Sequence, residues 1–314
     1  ETAVGTLLFT SVFYAGLTGL LSGTVLYVVL LLARCSQSVV MSATNPAATA
    51  YAADHTSRDQ RTSTMARLGT ANSMGTILGP AVSGALATFG LLAPLYFAGA
   101  LAALAALLVF WQLPLTAPQQ RVSRQPSARL RYKDRRIVLL LACAVGLFIG
   151  FSGIQQTLGF QLQDKLQLSG IQTAQMTGAA LMVSAAFTFL IQVTVMQRVN
   201  LKPTTFIRLG LLAMLAGAAL VSAFNDFSVL AAGMACLGTG LGLCMPAISA
   251  GASLAVEPEE QGAAAGLVSS CPAIGFSVGP ICAGALYQID GSLAPLFSAG
   301  VFFTVLVMLV TRDR

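Results

Sequence analysis

Long apolar stretches separated by short polar breaks run along most of the chain, and their length sets the first expectation. Apolar segments fall near residues 6–21, 24–53, 68–89, 92–113, 137–160, 174–196, 205–224, 227–256, 262–287 and 293–310. A helix needs about 20 such residues to cross a hydrocarbon core of roughly 30 Å. The segments are continuous, whereas the strands of a membrane barrel alternate apolar and polar positions. The pattern predicts an all-α polytopic membrane protein with about ten transmembrane helices.

Residues 114–136 form the one long hydrophilic segment, basic and with Pro and Ser. It divides the chain into a partial N-terminal bundle, 1–113, with four predicted helices, and a C-terminal bundle, 137–314, with six. The segment itself is expected to be a cytoplasmic connector.

The two parts share a motif. Gly75-Thr76-Ile77-Leu78-Gly79-Pro80-Ala81-Val82-Ser83-Gly84-Ala85-Leu86 returns as Gly275-Phe276-Ser277-Val278-Gly279-Pro280-Ile281-Cys282-Ala283-Gly284-Ala285-Leu286. Pro46, before the first copy, is matched by Pro246 before the second. One repetition at this distance indicates two similar halves, as many transporters have. Gly75, Gly79, Pro80 and Gly84, like Gly275, Gly279, Pro280 and Gly284, form a stripe without side chains where another helix can approach. The proline removes a backbone donor and softens the helix there.

Composition agrees with the membrane reading: 56% of residues are hydrophobic and 9% charged, against about 25% charged in soluble domains. The formal charge of +6 raises the question of nucleic acid, and its distribution answers it. Of the 17 Lys and Arg residues, all but Lys165 and Arg34 lie in loops or helix ends on one side of an alternating ten-span topology. By the positive-inside rule that side is cytoplasmic, so the basic charge is a topology signal and no nucleic-acid partner is expected. The six cysteines are scattered singly through apolar segments and His55 is the one histidine. That leaves no spacing for a metal or cofactor site or for histidine-based catalysis. The chain starts with Glu1 and is expected to begin partway through a longer protein.

Arg34 lies within an apolar segment, about 15 Å along the helix axis, where a charge is costly unless it faces a wet cavity or a partner. Gln37 shares its face three residues on. Gln155, Gln156, Gln161 and Gln192 are uncharged polar groups in apolar surroundings that either line a cavity or bond a neighbouring helix. Phe13, Tyr14, Phe148 and Phe151 are candidates for an aromatic wall. No Asp or Glu sits within a predicted apolar segment, which leaves three options open: coupling through the helix-end acids Asp164 or Asp226, a carboxylate upstream of Glu1, or a uniporter.

Spans, connector and repeated motif together resemble the major facilitator superfamily, most closely its drug:proton antiporter branch. The resemblance implies two pseudo-symmetric bundles of six helices each, with the ten predicted here standing as helices three to twelve of an expected twelve. The Gly-Pro copies then fall on helices five and eleven. The first resembles that branch's antiporter motif, with Ser83 where Gly is more usual. Arg34-Cys35-Ser36-Gln37, Asn45-Pro46 and Ala52-Ala53-Asp54 resemble helix four of these exporters.

By this resemblance Arg34, Gln37, Asn45, Gln155, Gln156 and Gln192 border the substrate or coupling cavity. Asp54 and Arg61 belong to a cytoplasmic charge lock. The first Gly-Pro copy packs across the halves against the 174–196 span and influences which side opens, while the family's partner for the second copy is helix two. The implied function is export of small amphipathic compounds by proton antiport, from a monomer in the bacterial inner membrane. Export of a metallophore or metabolite, uptake by symport, and a non-transporting receptor or scaffold remain alternatives.

Overall fold

The computed structural model describes residues 23–42, 48, 51, 75, 79, 82–90, 92–112, 130–199, 201–257 and 260–312. The chain forms two compact units, Glu1–Arg121 and Val122–Arg314. Among the described residues the regular structure is entirely helical.

In the first unit, α1 spans Gly23–Ser42 and α2 spans Ala93–Gln112. Residues 82–86 are helical and run into a 3-10 turn at Ala87–Phe89, after which Gly90 takes a φ of 135° and redirects the chain. The predicted span at 6–21 lies outside the described residues.

The second unit has six helices: α3 Val138–Leu166, α4 Gly170–Arg198, α5 Pro203–Ala223, α6 Phe227–Leu254, α7 Gln261–Tyr287 and α8 Leu293–Arg312. Together with α2 they make seven helices, among the described residues, that are long and apolar enough to cross a membrane, while the apolar part of α1, Gly23–Val39, is shorter. The six expected after the connector are therefore all present, with two boundaries moved.

The first lies at the far end of α3. Its segment was expected to end near residue 160, yet the helix continues through Gln161-Leu162-Gln163-Asp164-Lys165-Leu166, a run of mostly good helix formers whose Leu162 is buried. It stops at Gln167, which adopts a left-handed φ of 51°, the usual helix-ending geometry. At 29 residues α3 is about 43 Å long, well beyond the hydrocarbon core, so its last turn extends towards the interface. The second lies at the start of α4, at Gly170 rather than near 174. There the Ser169 hydroxyl accepts from Gln172 N, and the Gln172 side chain accepts from Ser169 N, a reciprocal cap that nucleates the helix early.

Glycines set the helix spacing in this bundle. Gly210 and Gly217 of α5 face Gly240 and Gly233 of α6. A Cβ built on Gly217 would lie 2.8 Å from Gly233 O, and one on Gly210 2.8 Å from Gly240 O. Another side of α6 meets α4: a Cβ on Gly242 would lie 2.8 Å from Thr188 O, and Gly238 abuts the Ser184 backbone. Thr188 Oγ1 also donates to Gly238 O at 2.9 Å. α3 packs against α8 in the same way, with Gly146 on Val305 and Gly150 on the Phe302 ring. Lipid tails are as apolar as leucine, so close backbone contact and interhelical hydrogen bonds hold these helices together.

Helix ends are closed by polar groups. Asp226 Oδ1 accepts from Ser228 N at 2.8 Å and Val229 N at 3.1 Å, capping α6. Lys165 Nζ donates to Ser222 O at 2.8 Å and Phe224 O at 3.4 Å at the end of α5, and sits 4.3 Å from the Phe224 ring centroid.

Replacing Gly217 with Val is expected to force α5 and α6 apart and cost about 3 kcal/mol by overpacking, read as a fall in the thermal midpoint of the purified protein. Gly284→Ala, where a Cβ meets no described atom within 4 Å, is expected to leave that midpoint unchanged or raise it slightly.

Candidate functional site

In α1 a charge and an amide are paired. Arg34 Nη1 donates to Gln37 Oε1 at 2.6 Å, and Gln37 is 5% exposed while Arg34 reaches the surface of its unit. A spacing of three residues puts both on one helix face. This is a permanent charge in an otherwise apolar helix, already engaged by a hydrogen bond.

The glutamines of the second unit divide by environment. Gln155 is half-buried, with its Oε1 enclosed and without a hydrogen-bond partner among the described residues, whereas Gln156 is exposed. Gln161, 1% exposed, donates Nε2 to Thr157 Oγ1 at 3.1 Å, and that hydroxyl donates on to Gly153 O at 2.9 Å. Its Oε1 has no partner either. Thr177 Oγ1 on α4, close to Gly159 of α3, is a third enclosed polar atom without a partner. Gln192 of α4 is half-buried. Each unpartnered oxygen is a point where a donor from water or a solute gains a full hydrogen bond. Asn45, Asp54, Arg61 and Pro80 lie outside the described residues.

A Cβ built on Gly75 or Gly79 meets no described atom within 4 Å, and Gly84 is buried. In the second copy, a Cβ on Gly275 would lie 2.8 Å from Phe148 C, and one on Gly279 3.2 Å from Gly153 N. Both neighbours belong to α3, so these two glycines face a helix of their own bundle. Ser152, fully buried on α3, donates to Gly275 O at 3.0 Å. Phe276 stacks on Phe148 at 5.9 Å between centroids, tilted 40°.

Both ends of α3 carry charge. At the start, Arg136 binds Glu260 through Nη1 at 2.7 Å and Nη2 at 3.1 Å, and Asp134 through Nη2 at 2.9 Å. The Arg136 hydrogen bonds hold the Asp134 and Glu260 carboxyls below their ordinary range, and Glu260 gains a further bond from Glu257 N. The same contacts push the guanidinium up, with Asp134 the larger influence. At the far end, Tyr287 donates its hydroxyl to Asp164 Oδ2, and its ring lies 6.0 Å from that of Phe160. Because α3 runs on to Leu166, Asp164 falls inside a membrane-length helix. It sits in the last turn of α3, a helix-end acid as expected. Asp226, the other helix-end acid, is occupied as a cap.

Sequence reasoning did not single out Ser152, Phe276, Tyr287, Thr177 or the Arg136–Glu260 pair. A serine within an apolar run was the available signal for Ser152. The pairings themselves join residues more than 120 positions apart.

The family model of the Major Facilitator Superfamily matches residues 2–271 and 202–314. The chain belongs to the Major Facilitator Superfamily. It is therefore an integral membrane transporter, and the superfamily implies small-molecule substrates. No curated protein sequence matches the chain. Among solved structures, the chain is similar to the human organic anion transporter MFSD10 (TETRAN), with TM-score 0.61 and 21% identity, covering 98% of this chain and 76% of that one. It is also similar to a bacterial homolog of the human lysosomal transporter Spinster in an inward-facing, unoccupied conformation, with TM-score 0.62, 14% identity, and 99% and 80% coverage. A variant of the nucleoside transporter NupG gives TM-score 0.68 and 14% identity, with 100% and 83% coverage. At these identities the likeness is one of fold.

Within this superfamily fold, Glu260 precedes α7 and Arg136 precedes α3, so their pair ties the starts of two spanning helices. A carboxyl held below its ordinary value of 4.5 contributes stability that is complete above that value and is lost as pH falls through the lower folded-state value. Glu260→Gln is accordingly expected to lower the thermal midpoint at neutral pH. The gap to the parent should narrow as pH falls below the ordinary carboxylate range and close once the folded-state carboxyl is protonated. A gap that persisted in acid would exclude the ionised pair as its source.

Proposed function

We propose that the protein is a secondary exporter of small amphipathic compounds, driven by proton antiport and working by alternating access. The observation that carries the reading is the Arg34–Gln37 pair in α1. An arginine within an apolar membrane helix marks a solute or ion pathway by default, because its charge is retained there only against a cost. Export and proton coupling are supported by the likeness of Gly75–Leu86 to the antiporter motif. In this reading Arg34, Gln37, Asn45, Gln155, Gln156 and Gln192 serve the substrate or coupling pathway, and the first Gly-Pro copy influences which side opens. Asp54 and Arg61 close the cytoplasmic side. The protein acts as a monomer in a bacterial inner membrane.

A second reading, export of an anionic organic solute, is favoured by the Arg34 charge itself and by the organic anion transporter among the similar structures. Two dyes separate the readings. Cells lacking their own pumps and expressing the full-length protein are loaded with ethidium, a lipophilic cation, or with carboxyfluorescein, an anion. Proton-driven export of amphipathic compounds predicts ethidium efflux that an uncoupler abolishes; efflux of carboxyfluorescein alone favours the second reading. Efflux of neither dye, with the protein present in the membrane, counts against both.

Arg34→Ala is expected to slow efflux about tenfold, the effect of losing one charge-assisted hydrogen bond of about 1.5 kcal/mol. Unchanged efflux removes Arg34 from the site. Gly79→Leu is expected to reduce efflux more than membrane expression, and equal loss of both would reduce the motif to plain packing.

A further inference from the structure

The ends of α3 and α7 remote from Arg136 bring two aromatic rings and a carboxylate together. Phe160 and Asp164 lie about one turn apart on one face of α3, and Tyr287 is the last residue of α7. The Phe160 and Tyr287 rings are 6.0 Å apart between centroids and tilted by 41°, and the Tyr287 hydroxyl donates to Asp164 Oδ2. Gly291, in the turn after α7, lies against the tyrosine ring, where a Cβ would be 3.2 Å from Cε2. Hydroxyl and turn together hold the ring in place. The cluster is nonetheless open: Phe160 is 60% exposed, Asp164 is exposed and Tyr287 is half-buried.

Charge decides what such a surface attracts. At this end of the second unit the described charged side chains are Asp164, Lys165, Asp226 and Asp290. Three of them are engaged elsewhere. Asp226 Oδ1 accepts from two amides at the start of α6, and Asp290 Oδ1 accepts from Ser292 N at 2.7 Å and Ser292 Oγ at 2.6 Å. Lys165 Nζ is held by the carbonyls of Ser222 and Phe224, over the Phe224 ring. Lys165 follows Asp164 in sequence, but successive residues point about 100° apart round a helix, and its ammonium reaches α5 instead of the carboxylate. The Asp164 carboxylate has one described partner, an uncharged hydroxyl on Oδ2. A hydroxyl orients a carboxylate without cancelling its charge.

An exposed carboxylate beside two aromatic rings suits one ligand chemistry. Ring faces attract a cation within about 6 Å of the centroid, the carboxylate supplies the opposite charge, and the rings also cover apolar carbon. A metal ion fits poorly, since among the described residues no three His, Cys, Asp or Glu side chains come together. We propose that Phe160, Tyr287 and Asp164 form a binding site for an organic ammonium ion with an apolar body. Its biological use rests on the reading of the protein as an exporter of amphipathic compounds, to which it adds the charge of the solute. Its test reads binding alone, so loss of binding and loss of efflux are separate results.

The test uses the purified full-length protein in maltoside micelles, which carry no ammonium group. Equilibrium binding of tritiated phenyltrimethylammonium is measured, with choline and its uncharged carbon analogue dimethylbutanol as competitors. Choline is expected to displace the probe and dimethylbutanol to leave it bound. Equal displacement by both, or no saturable binding, overturns the inference. Asp164→Asn is expected to weaken binding about fivefold, as for the loss of one exposed charge pair. Phe160→Leu, which keeps an apolar side chain, is expected to weaken it about threefold. Tyr287→Phe keeps the ring and releases the carboxylate, so binding is expected to hold or tighten. Unchanged binding in Asp164→Asn or in Phe160→Leu, or a loss in Tyr287→Phe as large as that in Asp164→Asn, overturns the assignment. Where Asp164→Asn does not fold, Phe160→Leu at its exposed position carries the same decision.

Discussion

Everything in the C-terminal bundle depends on how closely helix backbones approach one another. In water, burying side chains drives helices together; in lipid that drive is absent, because the surroundings are already apolar. Attraction then comes from dispersion between surfaces in contact and from hydrogen bonds across them. Both act only at short range. Gly210, Gly217, Gly233 and Gly240 bring α5 and α6 within that range, and Gly238 with Gly242 does the same for α4 and α6. A helix can thus present different glycine faces to different neighbours, which places α6 between two tightly packed partners.

Close approach has a second consequence. Once backbones touch, a short hydroxyl reaches a carbonyl on the next helix, as Thr188 reaches Gly238 and Ser152 reaches Gly275. These bonds are directional where dispersion is not, so they select a register from the many that smooth apolar surfaces permit. Charged groups are kept to helix ends for the opposite reason: Arg136, Glu260, Lys165 and Asp226 retain access to water or to carbonyls and amides that the helix leaves unpaired.

Much of the architecture was legible beforehand, because a membrane imposes a minimum length on every span. The six helices from Ile137 onward appear where apolar runs predicted them. The misplaced edges are instructive. The end of α3 was set too early because Gln161, Asp164 and Lys165 lower local hydropathy without lowering helix propensity, and length here is decided by backbone propensity and a left-handed cap at Gln167. The start of α4 was set too late because its capping box is polar. Of the candidate site, the Arg34–Gln37 pairing followed from helix periodicity alone, since both partners lie on one helix. The partners of Gly275 and Gly279 could not follow, since they lie on another.

The sequence by itself determined that this chain crosses a membrane many times and that its halves share a motif. Each of these is a local property, a length or a repeat, and needs no knowledge of neighbours. Tertiary structure alone decided what each helix face meets: that the second Gly-Pro copy closes on α3, that Asp164 joins Tyr287 and that Arg136 joins Glu260. The physical reason is that dispersion and hydrogen bonding vanish within a few ångströms. Which backbone lies beside a residue is therefore not written in its local sequence.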